Sequence, residues 1–164
     1  MLGSKTAAYK QVKEHGQSLI QGRVLSIDPS VGSGNSMPGW ALYGASELKS
    51  SGTWILNPRW PLEVRLRELA NHVADMVVSH HVDVLVYEDI PCQLYGFGNA
   101  KANSSLHRAV GAILSANVNK HVGISPSSWK KMVGPDYIKS DENDAIEIGR
   151  IVIGEARRIC GQNQ

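Results

Sequence analysis

The apolar positions of this chain change period near residue 60, and that change predicts its architecture. Before it, Arg23–Ile27, Trp40–Tyr43 and Thr53–Leu56 read as β-strands separated by Gly, Ser and Pro clusters, the pattern of an antiparallel meander. From Pro61 onward Leu62, Leu66, Leu69, Ala70, Val73, Met76 and Val77 recur at helical spacing, with Pro61 suited to a first turn. An apolar strand, "VDVLVYED", then runs to Glu88 and Asp89. A helix over Ser104–Val118, a strand "HVGIS", a small helix around Trp129–Val133 and a last helix from about Asp141 to Ile159 complete the chain. The order βββ-α-β-α-β-α-α predicts an α/β fold: a mixed sheet with helices on both faces. Residues 1–22 carry weak helical periodicity and are assigned as an N-terminal extension, leaving 23–164 as one domain.

Composition agrees with one core. The 164 residues are 42% hydrophobic and 20% charged, and no apolar run reaches the roughly 20 residues of a membrane helix. The first sixteen residues lack the apolar segment of a signal peptide. Two cysteines, Cys92 and Cys160, with no CxxC pair argue against zinc and fit a reducing compartment, so a cytoplasmic location is expected. The formal net charge is only +2. If four of the 15 acids were neutralised by metal, 17 basic residues would face 11 acids, a balance of +6.

Four acids stand out. Asp28 and Glu88 each end an apolar strand, and the carboxyl edge of a parallel pair is where α/β ligand sites lie. Asp141 and Asp144, in "KSDENDAIEIG", are three apart and therefore about 60° apart on a helix. Each has an ordinary reading as well. A strand-end acid can cap a loop amide, and Asp141 with Asp144 can form a helix cap that also complements the macrodipole. Taken together, four converging carboxylates suit two Mg²⁺ or Mn²⁺ ions about 4 Å apart, one activating water and one stabilising a leaving 3′ oxygen. The adjacent acids Asp89 and Glu142 are expected to point away.

With "SIDPS" around Asp28, "VYEDI" around Glu88 and "DENDAI" around Asp141 and Asp144, residues 23–160 resemble a RuvC-type Holliday junction resolvase. That family is a branch of the RNase H-like nucleases. "SPSSWKKMVG" also resembles the segment after the family's fifth strand. The resemblance implies an RNase H-like fold with a five-stranded mixed sheet, and a homodimer that cuts opposing strands of a four-way junction and leaves 5′ phosphates. It implies Asp28, Glu88, Asp141 and Asp144 as metal ligands. The long loop "PSVGSGNSMPG" after Asp28 and the mere six residues "PDYIKS" before Asp141 depart from the family pattern and suit a compact, divergent member, such as a viral one.

Around these acids, Tyr95 and Phe97 in a glycine-bearing loop are candidates to stack on unpaired bases, or to tuck under their own loop. Lys101, His107, Arg108, Lys130, Lys131 and Lys139 are candidates for phosphate contacts, each also readable as a solvated side chain. Trp129 reads as core. The small residues Ala109, Gly111, Ala112, Ser115 and Ala116 suit either a two-fold interface or packing on the chain's own sheet. Competing functions on the same residues are a nuclease for flaps, forks or RNA–DNA hybrids and a non-catalytic branched-DNA-binding module. An actin-like ATP-binding relative needs a duplicated domain, for which 164 residues leave no room.

Overall fold

A computed structural model describes residues 1–90 and 100–161, with the backbone alone for 100–103. Ten elements follow one another: α1 (Ala7–Gln21), β1 (Arg23–Asp28), β2 (Gly39–Gly44), β3 (Glu47–Thr53), α2 (Leu62–His80), β4 (Val84–Glu88), α3 (Ala100–Leu114), β5 (His121–Ile124), α4 (Pro126–Trp129) and α5 (Asp141–Ile159). The sheet order is β3-β2-β1-β4-β5. β1 pairs antiparallel with β2 and parallel with β4, and β4 pairs parallel with β5. Successive side chains of a strand face opposite sides. Val24, Val84, Val86, Val122 and Ile124 accordingly join one core with α1 and α5, whereas Leu25, Ile27 and Leu85 join a second with residues of α2 and α3.

The expected bounds of one strand are corrected. The third strand is Glu47–Thr53, not Thr53–Leu56. "ELKSSGT" is largely exposed and carries no apolar alternation, because an edge strand is held by its backbone bonds to β2 rather than by burial. The apolar Trp54 and Leu56 come after the strand and close the second core. α1 lays Val12, Leu19 and Ile20 into the first core, and the Leu2 amide donates to the buried Glu155 carboxylate at 2.8 Å. Ala109, Ala112 and Ala116 of the small-residue face pack into the second core, while Gly111 faces open space.

The last helix is positioned by its own start. Ser140 is the N-cap and accepts from the Asn143 amide at 3.1 Å. Asp141 is thereby released from the capping role. Gly39, opposite Asp28 in the β1–β2 register, lies where any Cβ would collide with the Asp141 carbonyl. Glycine at 39 lets the start of α5 sit directly against the sheet edge. Farther along, the Tyr43 hydroxyl donates to the Ile146 carbonyl at 2.6 Å and clamps α5 to β2. Among the described residues no helix is long and apolar enough to cross a membrane.

Candidate active site

β1 and β4 run parallel and adjacent, so their final residues, Asp28 and Glu88, emerge at the same edge of the sheet. The start of α5 descends on that edge and delivers Asp144, which is buried. The electrostatics follow from this placement. Burial, then the negative charges of Glu88, Asp144 and Asp141, push the Asp28 carboxyl from 3.8 up to about 8, with Lys130 opposing. Glu88 is raised as well, by burial first, against the Trp129 hydrogen bond and the Lys130 charge. Three acids, Asp28, Glu88 and Asp144, thus repel one another at close quarters, and Asp141 stands at their margin.

Each acid except Asp28 has a partner that fixes its direction. The Trp129 indole donates to Glu88 Oε2 at 2.6 Å, and Lys130 Nζ lies 4.0 Å from the same oxygen. Lys130 also rests 5.1 Å above the Trp129 ring. The Tyr137 hydroxyl donates to Asp144 Oδ1. Burial, together with that bond and the surrounding acids, drives the Tyr137 hydroxyl well above its ordinary value, so it stays a donor. Asp141 accepts from the Met37 amide at 2.8 Å and, more weakly, from Ser36 Oγ at 3.4 Å. The long loop after Asp28 therefore reaches across the cluster to hold Asp141. Asp28 itself has no hydrogen-bond donor among the described residues.

The other predicted positions sort as follows. Asp89 is exposed and Glu142 accepts from Ser51 Oγ on β3 at 2.6 Å, so neither joins the cluster. Lys130 is at the cluster; Lys131 and Lys139 are exposed on the segment between α4 and α5. Arg108 is exposed and 3.8 Å from Glu63, a pair that contributes little in water. His107 Nε2 meets the Ile90 carbonyl at 2.9 Å, just past Glu88. Tyr95 and Phe97 lie outside the described residues, as does the side chain of Lys101. Sequence reading missed Trp129 and Tyr137 as site residues. Trp129 is fully buried, so its burial was legible and its indole N–H bond was not.

The donor set is all hard oxygen, the kind that suits Mg²⁺ or Mn²⁺. The repulsion on Asp28, only partly offset by Lys130, fits a bound cation. Among the described residues no three His, Cys, Asp or Glu side chains are gathered tightly enough to cage an ion as they stand. Glu88 and Asp141 are turned toward Trp129 and Met37 instead.

No protein-family model matches the chain, and no curated protein sequence matches it significantly. Solved structures do. The chain is similar to RuvC of Thermus thermophilus in complex with a Holliday junction substrate, at 15% identity and a TM-score of 0.61, over 85% of this chain and 94% of that one. A second Thermus thermophilus RuvC structure gives the same identity and TM-score over 85% of this chain and 96% of its own. The fold is RuvC-like. At this identity the likeness describes architecture alone; Asp28, Glu88, Asp141 and Asp144 meet at one edge through this chain's own topology.

Proposed function

We propose that this chain is a metal-dependent endonuclease that resolves four-way DNA junctions, acting as a homodimer with one carboxylate cluster per subunit. One arrangement supports this most: β1, β4 and the start of α5 bring Asp28, Glu88 and Asp144 to one sheet edge, where burial and the neighbouring carboxylates push Asp28 up to about 8. Such a cluster is costly in a free protein and becomes favourable once divalent cations neutralise it. Asp28, Glu88, Asp141 and Asp144 would hold the two ions, which supply an activated water and charge stabilisation at the departing oxygen. The RuvC-like fold and the junction bound by its Thermus thermophilus neighbour favour branched DNA as substrate.

The remaining residues act without an ion. The Trp129 indole and Tyr137 hydroxyl hold Glu88 and Asp144 in place, so the cluster does not splay under its own repulsion. Lys130, half-exposed beside Glu88, offsets part of that charge and is open to a phosphate of the incoming strand. Lys131 and Lys139 extend the basic edge and supply the sequence-independent part of affinity. Tyr95, Phe97, Lys101 and Arg108 are proposed to contact the junction on the β4–α3 side.

The test is cleavage of a labelled four-way junction, with the matching linear duplex alongside. Wild type in Mg²⁺ is expected to give paired, symmetric nicks in the junction and none in the duplex, while Asp28→Asn binds without cutting. Equal cutting of flaps, forks or RNA–DNA hybrids would replace the junction by a broader branched substrate. Binding without cleavage in both Mg²⁺ and Mn²⁺ would leave a non-catalytic DNA-binding module.

A further inference from the structure

The segment between β3 and α2 begins at the same sheet edge as the carboxylates, because β3 runs antiparallel to β2 and β2 antiparallel to β1. Its side chains alternate sharply. Trp54 and Leu56 are buried, whereas Ile55 is 81% exposed and Trp60 is 43% exposed. Trp60 is the most open of the four tryptophans: Trp129 and Trp54 are buried and Trp40 is half-buried.

The backbone that carries this exposed tryptophan is held in place. Asn57 Oδ1 accepts from the Arg59 amide at 2.9 Å, and the Trp60 amide donates to the Asn57 carbonyl at 3.0 Å, which together close a tight turn. One guanidinium then joins the turn to the loop after Asp28. Arg65 Nε donates to the Trp60 carbonyl at 3.0 Å and Arg65 Nη1 to the Val31 carbonyl at 2.6 Å. Gly32, at φ 66°, sits so close to Leu56 that a Cβ would strike it, and the Trp54 amide donates to the Pro38 carbonyl at 3.0 Å. Beneath, the rings of Trp54 and His72 stack at 5.7 Å. Val31 is three residues from Asp28, so the turn is tied to the mouth of the carboxylate cluster.

We propose that the Asn57–Trp60 turn is a DNA subsite in which the Trp60 ring stacks on an unpaired base and Arg59 meets the adjoining phosphate. The proposal rests on the nuclease reading above and adds a substrate contact to it. Three features favour nucleic acid over a protein surface. A flat aromatic ring is presented on a pre-ordered turn beside the proposed scissile site, and base stacking on such rings tolerates any sequence. Arg59 is exposed and makes no ion pair among the described residues, so its charge is available to phosphate. The turn also shares a sheet edge with Lys130, on the far side of the cluster.

The experiment uses Asp28→Asn protein in EDTA, so that no strand is cut, with a fluorescein-labelled four-way junction and a 20-nucleotide single strand as probes. Adding Trp60→Ala is expected to weaken binding of both by about tenfold. Trp60→Phe retains most of the affinity but loses the quenching of tryptophan emission that DNA causes in the parent. Arg59→Ala lowers the slope of log K against log salt by about one. Unchanged affinity in Trp60→Ala overturns the proposal. So does a change confined to the oligomeric state by sedimentation, which would make the turn a contact between copies of this chain. The two readings separate with otherwise wild-type protein in Mg²⁺. Normal cleavage and binding by Trp60→Ala removes the subsite and leaves the nuclease. Trp60-dependent binding with no cleavage by wild type removes the nuclease and leaves the subsite. Absence of DNA binding by any form removes both.

Discussion

Asp28→Asn without metal should make this protein more stable at alkaline pH and less sensitive to pH. In the folded chain the Asp28 carboxyl holds its proton up to about pH 8, whereas in the unfolded chain it releases it near 3.8. Between those values the folded state binds more protons than the unfolded one, so stability falls as pH rises. The contribution is fully present below about 3.8 and is lost as pH climbs through 8. At about 1.4 kcal/mol per pH unit, a rise from 3.8 to about 8 sets a ceiling of roughly 6 kcal/mol. Asp28 is half-buried rather than sealed, and Lys130 stands nearby, so solvent and relaxation reduce this to about 1–3 kcal/mol. For a chain of this size that is roughly 3–10 °C in Tm. Thermal unfolding followed by circular dichroism in EDTA, from pH 5 to pH 8.5, reads it directly. Asp28→Asn should overtake wild type as pH rises, and millimolar Mg²⁺ should restore wild type while leaving the variant unmoved. A wild-type-minus-variant difference that is flat across this range, or a variant less stable at pH 8.5, would refute the reasoning.

Three further outcomes follow from single contacts. Trp129→Phe keeps most of the buried volume but removes the 2.6 Å donor to Glu88; unfolding in urea should show a loss of about 1.5–3 kcal/mol, with junction cleavage reduced more than junction binding. Gly39→Ala forces the start of α5 off the sheet edge; it should cost about 2 kcal/mol or more by the same measurement and abolish cleavage, because Asp141 and Asp144 move with the helix. Ser26 Oγ is the one buried side-chain polar atom without a partner among the described residues, so Ser26→Ala should leave Tm unchanged or raise it by up to about 3 °C in a thermal scan, with cleavage intact.

The parts of the fold that were legible in the sequence are those written in apolar periodicity. Val24–Ile27 and Val84–Val86 are inner strands buried on both faces, and runs that are apolar apart from Ser26 declare them. α5 was bounded at Asp141 and Ile159 because its amphipathic stripe begins where Ser140 caps it. β3 was misplaced because its residues are polar on both faces, and backbone pairing leaves no trace in side-chain hydrophobicity. α1 is hard to read for a related reason: its buried residues are spread among lysines and glutamines, and what they cover, α5 and the sheet, lies far along the chain.

The site divides in the same way. Asp28, Glu88 and Asp144 are legible because strand ends and a helix start are local features, whereas the parallel pairing of β1 with β4 that joins them is seen only in the sheet. The supports were not visible. Trp129, Tyr137 and Met37 reach their acids over 41, 7 and 104 residues, and no spacing rule connects them. Asp141 shows the limit most clearly. Its position at the head of α5 suggested a cap, yet Ser140 has that role, and a loop on the other side of the cluster engages its carboxylate.

The central claim is that the four acids form a site for divalent cations. Titration of the protein with Mn²⁺, following free Mn²⁺ by electron paramagnetic resonance, tests it without any DNA. Wild type should take up two ions per chain, Mg²⁺ should compete for them, and Asp28→Asn and Glu88→Gln should each lose at least one. Uptake by Asp28→Asn indistinguishable from wild type, or no uptake by wild type at millimolar Mn²⁺, would contradict the account.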